Sequence, residues 1–177
     1  MTEEVRRLSA AEFTALGHEA AGVFAAALEY GPVEPRVLAF PAIARQHAAR
    51  SDFRAYGAFD GDRLIGFSEG YSSLPGQWWH DSVAARLPPD QRQRWLDGAF
   101  ELVELHVHPA YQGRGLGGRL HDLLLEGVPN RTAVLSTRSA ETPAMALYRK
   151  RGWLVLIDEM LFPSNAVPFR ILGRDLP

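Results

Sequence analysis

The sequence predicts an α/β (α+β) fold, in which helices flank a mixed central sheet of six to seven strands. Two stretches carry this prediction. Residues 99–127 have the pattern of a strand, a glycine-rich turn and a helix in direct succession, and residues 53–71 have that of two strands around a tight turn at Gly61. Alternating strands and helices next to an antiparallel meander are typical of a mixed sheet. We expect a single domain spanning residues 1–177, because that length can bury a substantial core.

The N-terminal segment predicts one short strand and two helices. Residues 4–8 have the pattern of the strand, and the stretch from Ser9 to Glu12 has the form of a capping box, so a helix should begin there. An apolar stripe continues this helix, with a break expected at Gly17. A second helix follows Pro35, and we expect Pro41 to divide it or to set its true start.

An insertion of residues 76–98 precedes the central strand. It has two short helical patterns and contains Trp78, Trp79 and Trp95, three of the four tryptophans. These rings either build a small core for the insertion or line the wall of a ligand pocket. The later elements are a strand at 100–107, a helix from 116, a strand at 132–137, a helix over 143–151, and strands at 153–157 and 169–172.

Composition and charge exclude several classes of function. With 46% hydrophobic and 23% charged residues the chain resembles a soluble globular protein, and its net charge of −2 offers no basic field for nucleic acid or an anionic membrane. The absence of cysteine excludes a disulfide framework, a thiolate metal site and a cysteine nucleophile. The apolar run at residues 20–28 is too short to span a bilayer and has no signal-peptide flanks, so we expect a cytoplasmic protein.

Residues 112–118, Gln-Gly-Arg-Gly-Leu-Gly-Gly, follow the central strand and open the next helix. Glycines permit backbone angles that let several N–H groups point at one anion, and the helix N-terminus adds positive potential, so the pattern predicts a pyrophosphate site. Gly113, Gly115 and Gly118 also satisfy the dinucleotide fingerprint G-x-G-x-x-G, but residues 131–139 lack its acidic residue. A Walker loop is excluded because no Gly-Lys-Ser/Thr follows, which leaves a plain tight turn as the alternative.

Two motifs carry a family resemblance. The segment His-Pro-Ala-Tyr-Gln-Gly-Arg-Gly-Leu-Gly-Gly-Arg-Leu resembles the acyl-CoA pyrophosphate loop of the GNAT superfamily of N-acetyltransferases, with Gln112, Gly115 and Gly117 at its defining positions. Residues 141–153 are similar to the family's Asn-x-x-Ala-x-x-Leu-Tyr-x-x-x-Gly-Phe helix, except that Glu141 stands in place of the asparagine. The resemblance implies a GNAT-like sheet and transfer of an acetyl group from acetyl-CoA to a primary amine.

The resemblance also implies a set of contacts for acetyl-CoA. The pantetheine arm should pair with strand backbone, the pyrophosphate should rest on loop amides, and the second motif should complete the site. These residues are Leu105, His106, Val107, Gln112, Gly113, Arg114, Gly115, Leu116, Gly117, Gly118, Thr142, Ala144 and Tyr148. Arg114, Arg119 and Arg149 are further candidates for the phosphate charge. No metal is expected.

Acetyl transfer to an amine needs a base, because an ammonium has no lone pair to attack with. Glu104, His106 and His108 share one face of the central strand by its period of two. GNAT enzymes often carry a glutamate at a similar point, so the resemblance favours Glu104 as the base, directly or through water, with a structural carboxylate as the alternative. His106 is the second candidate base, since its ordinary pKa suits the task. By its place in the motif, Tyr148 would protonate the leaving thiolate.

Several alternatives remain open at the level of sequence. A degenerate member could bind acyl-CoA as a sensor without turnover, and the triplet Glu104, His106 and His108 could instead hold a metal ion. The expected acceptor is a small-molecule primary amine, attacked directly in a ternary complex, and the three insertion tryptophans are candidates for the acceptor pocket. We also leave a homodimer open.

Overall fold

The computed structural model describes residues 3–163 and 166–177. Within them lie seven strands and seven α-helices: β1 (Glu3–Leu8), α1 (Ala10–Ala15), α2 (Gly17–Leu28), α3 (Pro35–Ala48), β2 (Arg54–Asp60), β3 (Arg63–Ser72), α4 (Trp78–Ala84), α5 (Pro89–Leu96), β4 (Ala99–Val107), α6 (Leu116–Leu125), β5 (Thr132–Arg138), α7 (Pro143–Lys150), β6 (Leu154–Met160) and β7 (Phe169–Asp175). The strand order is β1-β2-β3-β4-β5-β7-β6. β4 and β5 pair in parallel, whereas β1–β2, β2–β3, β5–β7 and β6–β7 are antiparallel. The predicted mixed sheet is confirmed.

The described residues group into two compact units. The first contains residues 3–71 and 102–126, and the second contains residues 72–101, 127–163 and 166–177. Each has its own cluster of buried apolar side chains. That the chain is a single domain with an insertion at 76–98 stays a prediction. No helix in the described part of the chain is long and apolar enough to cross a membrane.

The first unit begins as its sequence signals predict. Ser9 and Glu12 form a full capping box, with the Ser9 hydroxyl accepting from the Glu12 N–H at 3.2 Å and the Glu12 carboxylate accepting from the Ser9 N–H at 2.8 Å. These bonds, the backbone one first, lower the pKa of Glu12 to about 2. Helices α1 and α2 are separated at Leu16, beside the predicted break.

Helix α3 runs through Pro41 without interruption, so the expectation that Pro41 divides it is wrong. The proline lies against Gly17 at the start of α2, where an added Cβ would be 3.2 Å from the Pro41 Cα. Close packing of α2 and α3 thus offsets the hydrogen bond that the proline cannot donate.

A β-bulge in β3 decides which side chains reach each face of the sheet in the first unit. Ala58 pairs with Gly66 and Phe59 pairs with Leu64, which leaves Ile65 as the extra residue. Leu64 lies in the cluster formed with helices α1 to α3, whereas Ile65 lies in the cluster formed with α6. The bulge therefore changes the phase of β3 just before the stretch that carries Glu69.

The second unit has its core on β5, β6 and β7. β5 pairs with β7 along its whole length, from Thr132 opposite Asp175 to Arg138 opposite Phe169. Helices α4 and α5 form the two short helical segments that the sequence predicts for residues 76–98. They contribute apolar side chains to the cluster that also contains Val134 and Ile171.

Candidate functional site

The glycine-rich loop has the backbone conformation that its sequence demands. A single 3₁₀ turn at Pro109–Tyr111 follows β4, and the ring of His108 caps it by accepting from the Ala110 N–H at 3.3 Å. Gly113 and Gly115 have φ values of +77° and +84°, in the left-handed region that favours glycine. Neither has an atom within 4 Å of an added Cβ, so the backbone angle and not crowding requires glycine here.

The loop presents a continuous run of unpaired donors. Among the described residues, the six N–H groups from Gly113 to Gly118 have no hydrogen-bond acceptor. Gly115 is the N-cap of α6 and has no side chain with which to cap it. Since the helix dipole adds positive potential at the same place, this run of donors fits an anion with several oxygens.

Side chains of the loop brace it against the β1–β2 edge. The Tyr111 hydroxyl donates to the Asp60 carboxylate at 2.8 Å, and this bond raises the pKa of Tyr111. Arg114 pairs with Glu3 at 2.8 Å, donates to the Ala110 carbonyl at 3.0 Å and lies 5.1 Å above the Tyr111 ring. Arg114 is therefore engaged in holding the loop.

Two further loop side chains have contrasting surroundings. The amide of Gln112 folds back and donates to the Val107 carbonyl at 2.9 Å, which ties the loop to the end of β4. Arg119, in the first turn of α6, is exposed, and its side chain has no hydrogen bond or ion pair within the described residues. Arg119 is thus the arginine of this segment that is available to a ligand.

Glu104 and His106 form a hydrogen-bonded pair on one face of β4. His106 Nε2 is 2.6 Å from Glu104 Oε2, and the two side chains are 13% and 22% exposed. The imidazole is fixed by aromatic contacts, with ring centroids at 5.2 Å to Phe24 and 5.6 Å to Phe67. The carboxylate is the more accessible member of the pair.

His108 does not join this pair, because it lies past the end of β4 and its ring caps the following turn. Residues 3–163 and 166–177 contain no group of three or more metal-ligating side chains, the triplet of Glu104, His106 and His108 included.

A second carboxylate–imidazole pair lies on β3 and α3, and sequence reasoning missed it. His47 Nδ1 and Glu69 Oε1 are hydrogen-bonded at 2.7 Å, with Glu69 fully buried. Burial lowers the pKa of His47, but the hydrogen bond and charge of Glu69, together with Glu104, more than offset this and raise it. Burial raises the pKa of Glu69 against the opposing bond from His47. The pair therefore retains a proton to a higher pH than its separate groups would.

The second unit carries the residues of the second motif on α7. Thr142 caps this helix, its hydroxyl accepting from the Met145 N–H at 3.1 Å, and Ala144 is exposed in the first turn. Tyr148 is 5% exposed and packs edge-on against Trp153 at 5.7 Å. Its ring is therefore held by the core of this unit.

Glu141, which stands in the asparagine position of the motif, holds two arginines. Its carboxylate accepts from Arg149 at 2.5 and 2.6 Å and from Arg170 at 3.2 Å. These bonds, that from Arg149 first, lower the pKa of Glu141 to about 2. Arg149, a candidate for phosphate charge by sequence, is thus engaged by a carboxylate.

The three tryptophans of the insertion differ in their surroundings. Trp79 and Trp95 are buried, and their indole N–H groups donate to Ser136 at 3.2 Å and to Gln91 at 3.1 Å. Trp78 is 58% exposed and contacts the Phe162 ring at 5.2 Å. Two of these rings therefore belong to the core, and Trp78 is the one that offers surface to a ligand.

Comparison with known proteins places the chain in a family. Residues 22–153 match the model of the Acetyltransferase (GNAT) family. The chain is similar to the GCN5-like protein acetyltransferase of Mycobacterium tuberculosis, with 38% identity over 122 residues that cover 64% of this chain and 59% of that protein. It is also similar to the N-alpha-acetyltransferase RimI of the same organism, with 32% identity over 113 residues that cover 64% and 60% of the two chains. The chain thus spans less than two thirds of the length of these relatives.

The fold is shared with solved structures. One of them is yncA from Salmonella typhimurium with its cofactor acetyl-CoA, which matches with a TM-score of 0.68 at 16% identity over 100% of this chain and 95% of that one. The family match covers both the glycine loop and the α7 motif. On this evidence the chain belongs to the GNAT family of acetyltransferases.

Proposed function

We propose that this protein is an acetyl-CoA-dependent N-acetyltransferase, which transfers an acetyl group to a primary amine by direct attack in a ternary complex. The observation that carries the proposal is the run of six unpaired N–H groups from Gly113 to Gly118. This donor set at a helix N-terminus fits the pyrophosphate of coenzyme A. When bound, acetyl-CoA supplies an activated thioester carbonyl.

The chain's own backbone and side chains would hold this ligand. The amides of residues 113–118 would bind the pyrophosphate, and the exposed guanidinium of Arg119 on α6 could contact its charge. The backbone of Leu105 to Val107 would pair with the pantetheine arm, as in the addition of a strand. Thr142 and Ala144, at the start of the second motif, are proposed as further contacts to acetyl-CoA.

Glu104 is the proposed base. It is the more exposed member of the pair with His106, and the bond of 2.6 Å between them fixes the carboxylate and the imidazole in one geometry. A carboxylate oriented in this way can take the proton of the ammonium directly or through one water. His106 is the alternative base, for which Glu104 would then set the tautomer.

Tyr148 is the proposed acid that protonates the leaving thiolate. Its place in the second motif and its fixed ring on α7 support this role. A neutral phenol is a suitable donor at neutral pH, since the ordinary pKa of tyrosine is about 10.

The acceptor that we propose first is a small-molecule primary amine. A second candidate, an amine on a protein, is favoured by the names of the two curated relatives, one a protein acetyltransferase and the other an N-alpha-acetyltransferase. Trp78, with its exposed ring, is a candidate surface for either acceptor. Small amines and protein amines differ in the group attached to the amine, so an experiment with both kinds of acceptor can distinguish them.

The test is release of the CoA thiol from acetyl-CoA in the presence of two acceptor panels, one of small amines and one of short peptides with a free N-terminus or a lysine. Turnover with any acceptor, lost in Glu104→Gln, supports the enzyme. Binding of acetyl-CoA without turnover on either panel would favour a sensor instead.

A further inference from the structure

The register of β3 and β4 can be read from two contacts in the first unit. The His108 N–H donates to the Ile65 carbonyl at 2.8 Å, and the Phe67 ring lies 5.6 Å from the His106 ring. Two residues forward on β3 thus correspond to two residues back on β4, as in an antiparallel pair. On the same face Glu69 follows Phe67 on β3 and Glu104 precedes His106 on β4, and the charge of Glu104 acts on Glu69.

Glu69 and Glu104 therefore lie near each other on this face of the sheet. Like charges close together on one face of a sheet destabilise the fold. Each carboxylate has one histidine, Glu69 with His47 at 2.7 Å and Glu104 with His106 at 2.6 Å. Two carboxylates and two imidazoles thus meet on one face of the sheet.

Stability does not explain why Glu69 is a carboxylate. Its Oε2 atom is buried and has no hydrogen-bond partner among the described residues. A buried ion pair offsets its desolvation only when its remaining lone pairs are satisfied, and apolar replacements are often equally stable. An unsatisfied carboxylate next to a second carboxylate therefore points to a role in the chemistry of the site.

The charged groups that face Glu69 come from two elements. His47 of α3 supplies the hydrogen-bonded imidazole, and Glu104 and His106 of β4 supply the neighbouring pair. Arg50, which follows α3, acts on His47. On the β2 side the cross-strand partner of Glu69 is the uncharged Ala55. Glu69 is thus the group that places a second negative charge next to Glu104.

We propose that Glu69 and His47 are positioning residues for the transfer reaction, in which the Glu69 carboxylate lies beside the base Glu104 and the hydrogen bond from His47 holds Glu69 in place inside the core. The inference rests on the proposed function, with Glu104 as the base. A neighbouring negative charge favours the protonated form of a carboxylic acid, so the proton leaving the ammonium relieves the repulsion between the two glutamates. The charge of His47 opposes this effect, because His47 and Glu104 also interact by charge.

The test is the pH dependence of kcat/KM in Glu69→Gln, which keeps the shape of the side chain and an acceptor for His47. We expect the acidic limb of the profile to move to lower pH, because the substitution removes the negative charge beside the base. The plateau should fall about threefold or more as the base weakens. The Kd for acetyl-CoA should stay at the parental value.

A second variant separates this role from a structural one. The double substitution Glu69→Gln with His47→Gln replaces the buried ion pair by two amides that can hydrogen-bond to each other, so it restores an uncharged, satisfied contact. We expect it to keep the displaced acidic limb even where its thermal stability matches the parent. A parental profile in a folded double variant would overturn the proposal, and so would failure of both variants to fold, because the pair would then belong to the core alone.

His121→Gln is the matched control, because His121 is a buried histidine on α6 that pairs with a carboxylate, Asp122, at the same 2.7 Å. It should lower stability without moving the acidic limb. Glu104→Gln distinguishes failure of the proposed base from failure of the role proposed for Glu69. If Glu104→Gln keeps parental activity, the assignment of the base fails, whereas a silent Glu69→Gln beside an inactive Glu104→Gln refutes only the role of Glu69.

Discussion

His106 Nε2 lies 2.6 Å from Glu104 Oε2, so neither side chain can act on a substrate proton independently of the other. If the imidazole donates this bond, the carboxylate keeps its second oxygen for the ammonium, and the ring holds it in place. If the imidazole is the base, the carboxylate selects the tautomer that leaves Nδ1 unprotonated. The two arrangements predict different orders of activity loss for substitutions of Glu104 and of His106.

Glu104→Gln should lower kcat/KM by about 10²-fold or more near neutral pH, because it removes the proton acceptor and keeps the shape. The loss should shrink as the pH approaches the pKa of the acceptor amine, which then arrives neutral. His106→Gln should lower kcat/KM less than Glu104→Gln does. The measurement is thiol release across pH for both variants and the parent.

The reverse ranking would transfer the role of base to His106. If neither substitution mattered at neutral pH, the acceptor would have to be a weakly basic amine, and the enzyme would contribute mainly orientation of the two substrates.

Gly115→Ala should weaken binding of CoA by about tenfold or more, because a side chain at φ +84° is strained and the loop must leave the conformation that aims its N–H groups at one anion. In the parent, CoA at a hundredfold excess over its Kd should stabilise the fold by about 2.7 kcal/mol. Thermal unfolding with and without CoA measures both effects.

Gly98→Ala is the matched control for that substitution. Gly98 also has a positive φ, +73°, and also has open space around an added Cβ, but it lies in the turn before β4. The Gly98→Ala variant should lose comparable stability and keep the full stabilisation by CoA in thermal unfolding. An unchanged CoA affinity in Gly115→Ala would remove the glycine loop from the pyrophosphate site.

Tyr148→Phe should lower kcat by about tenfold or more and leave the Kd for CoA unchanged, because the hydroxyl acts on charge that develops only as the thiolate leaves. Tyr111→Phe should have the opposite effect on the two quantities, the Kd for CoA and kcat. It deletes the bond of 2.8 Å to Asp60 that braces the loop, so CoA should bind more weakly with little change in kcat. Steady-state kinetics combined with calorimetric titration separates the two, and a parental kcat in Tyr148→Phe would leave water as the acid.

The parts of this structure that sequence predicts are those fixed by local rules. The capping box of Ser9 and Glu12 and the glycine loop depend on residues a few positions apart, and both are present in the structure. The pairing of Glu104 with His106 follows from the period of two along one strand. Such features need no knowledge of the tertiary fold.

The parts that sequence does not predict depend on contacts between distant segments. His47 and Glu69 are 22 positions apart, and Arg114 reaches Glu3 across 111 positions. Nothing in the neighbourhood of Arg114 indicates that a carboxylate of β1 engages it. The one available signal for Glu69 was its place as a single carboxylate in the apolar interior of β3.

The bulge at Ile65 is a second feature beyond local pattern, because it changes the face to which every later side chain of β3 points. Counting by twos through the strand would place Glu69 on the wrong side of the sheet relative to Leu64.

Gly173→Ala should destabilise the fold by about 1–3 kcal/mol, because an added Cβ would lie 2.7 Å from the Trp95 ring and 2.9 Å from the Leu156 side chain, and Trp95 is almost fully buried. Gly22→Ala is the matched control, since Gly22 lies inside α2 with no atom within 4 Å of an added Cβ. That change should stabilise the helix by about 0.5–1 kcal/mol. Urea unfolding of the two variants should therefore give midpoints on opposite sides of the parent, and a neutral Gly173→Ala would mean that the Trp95 ring can shift without loss of packing.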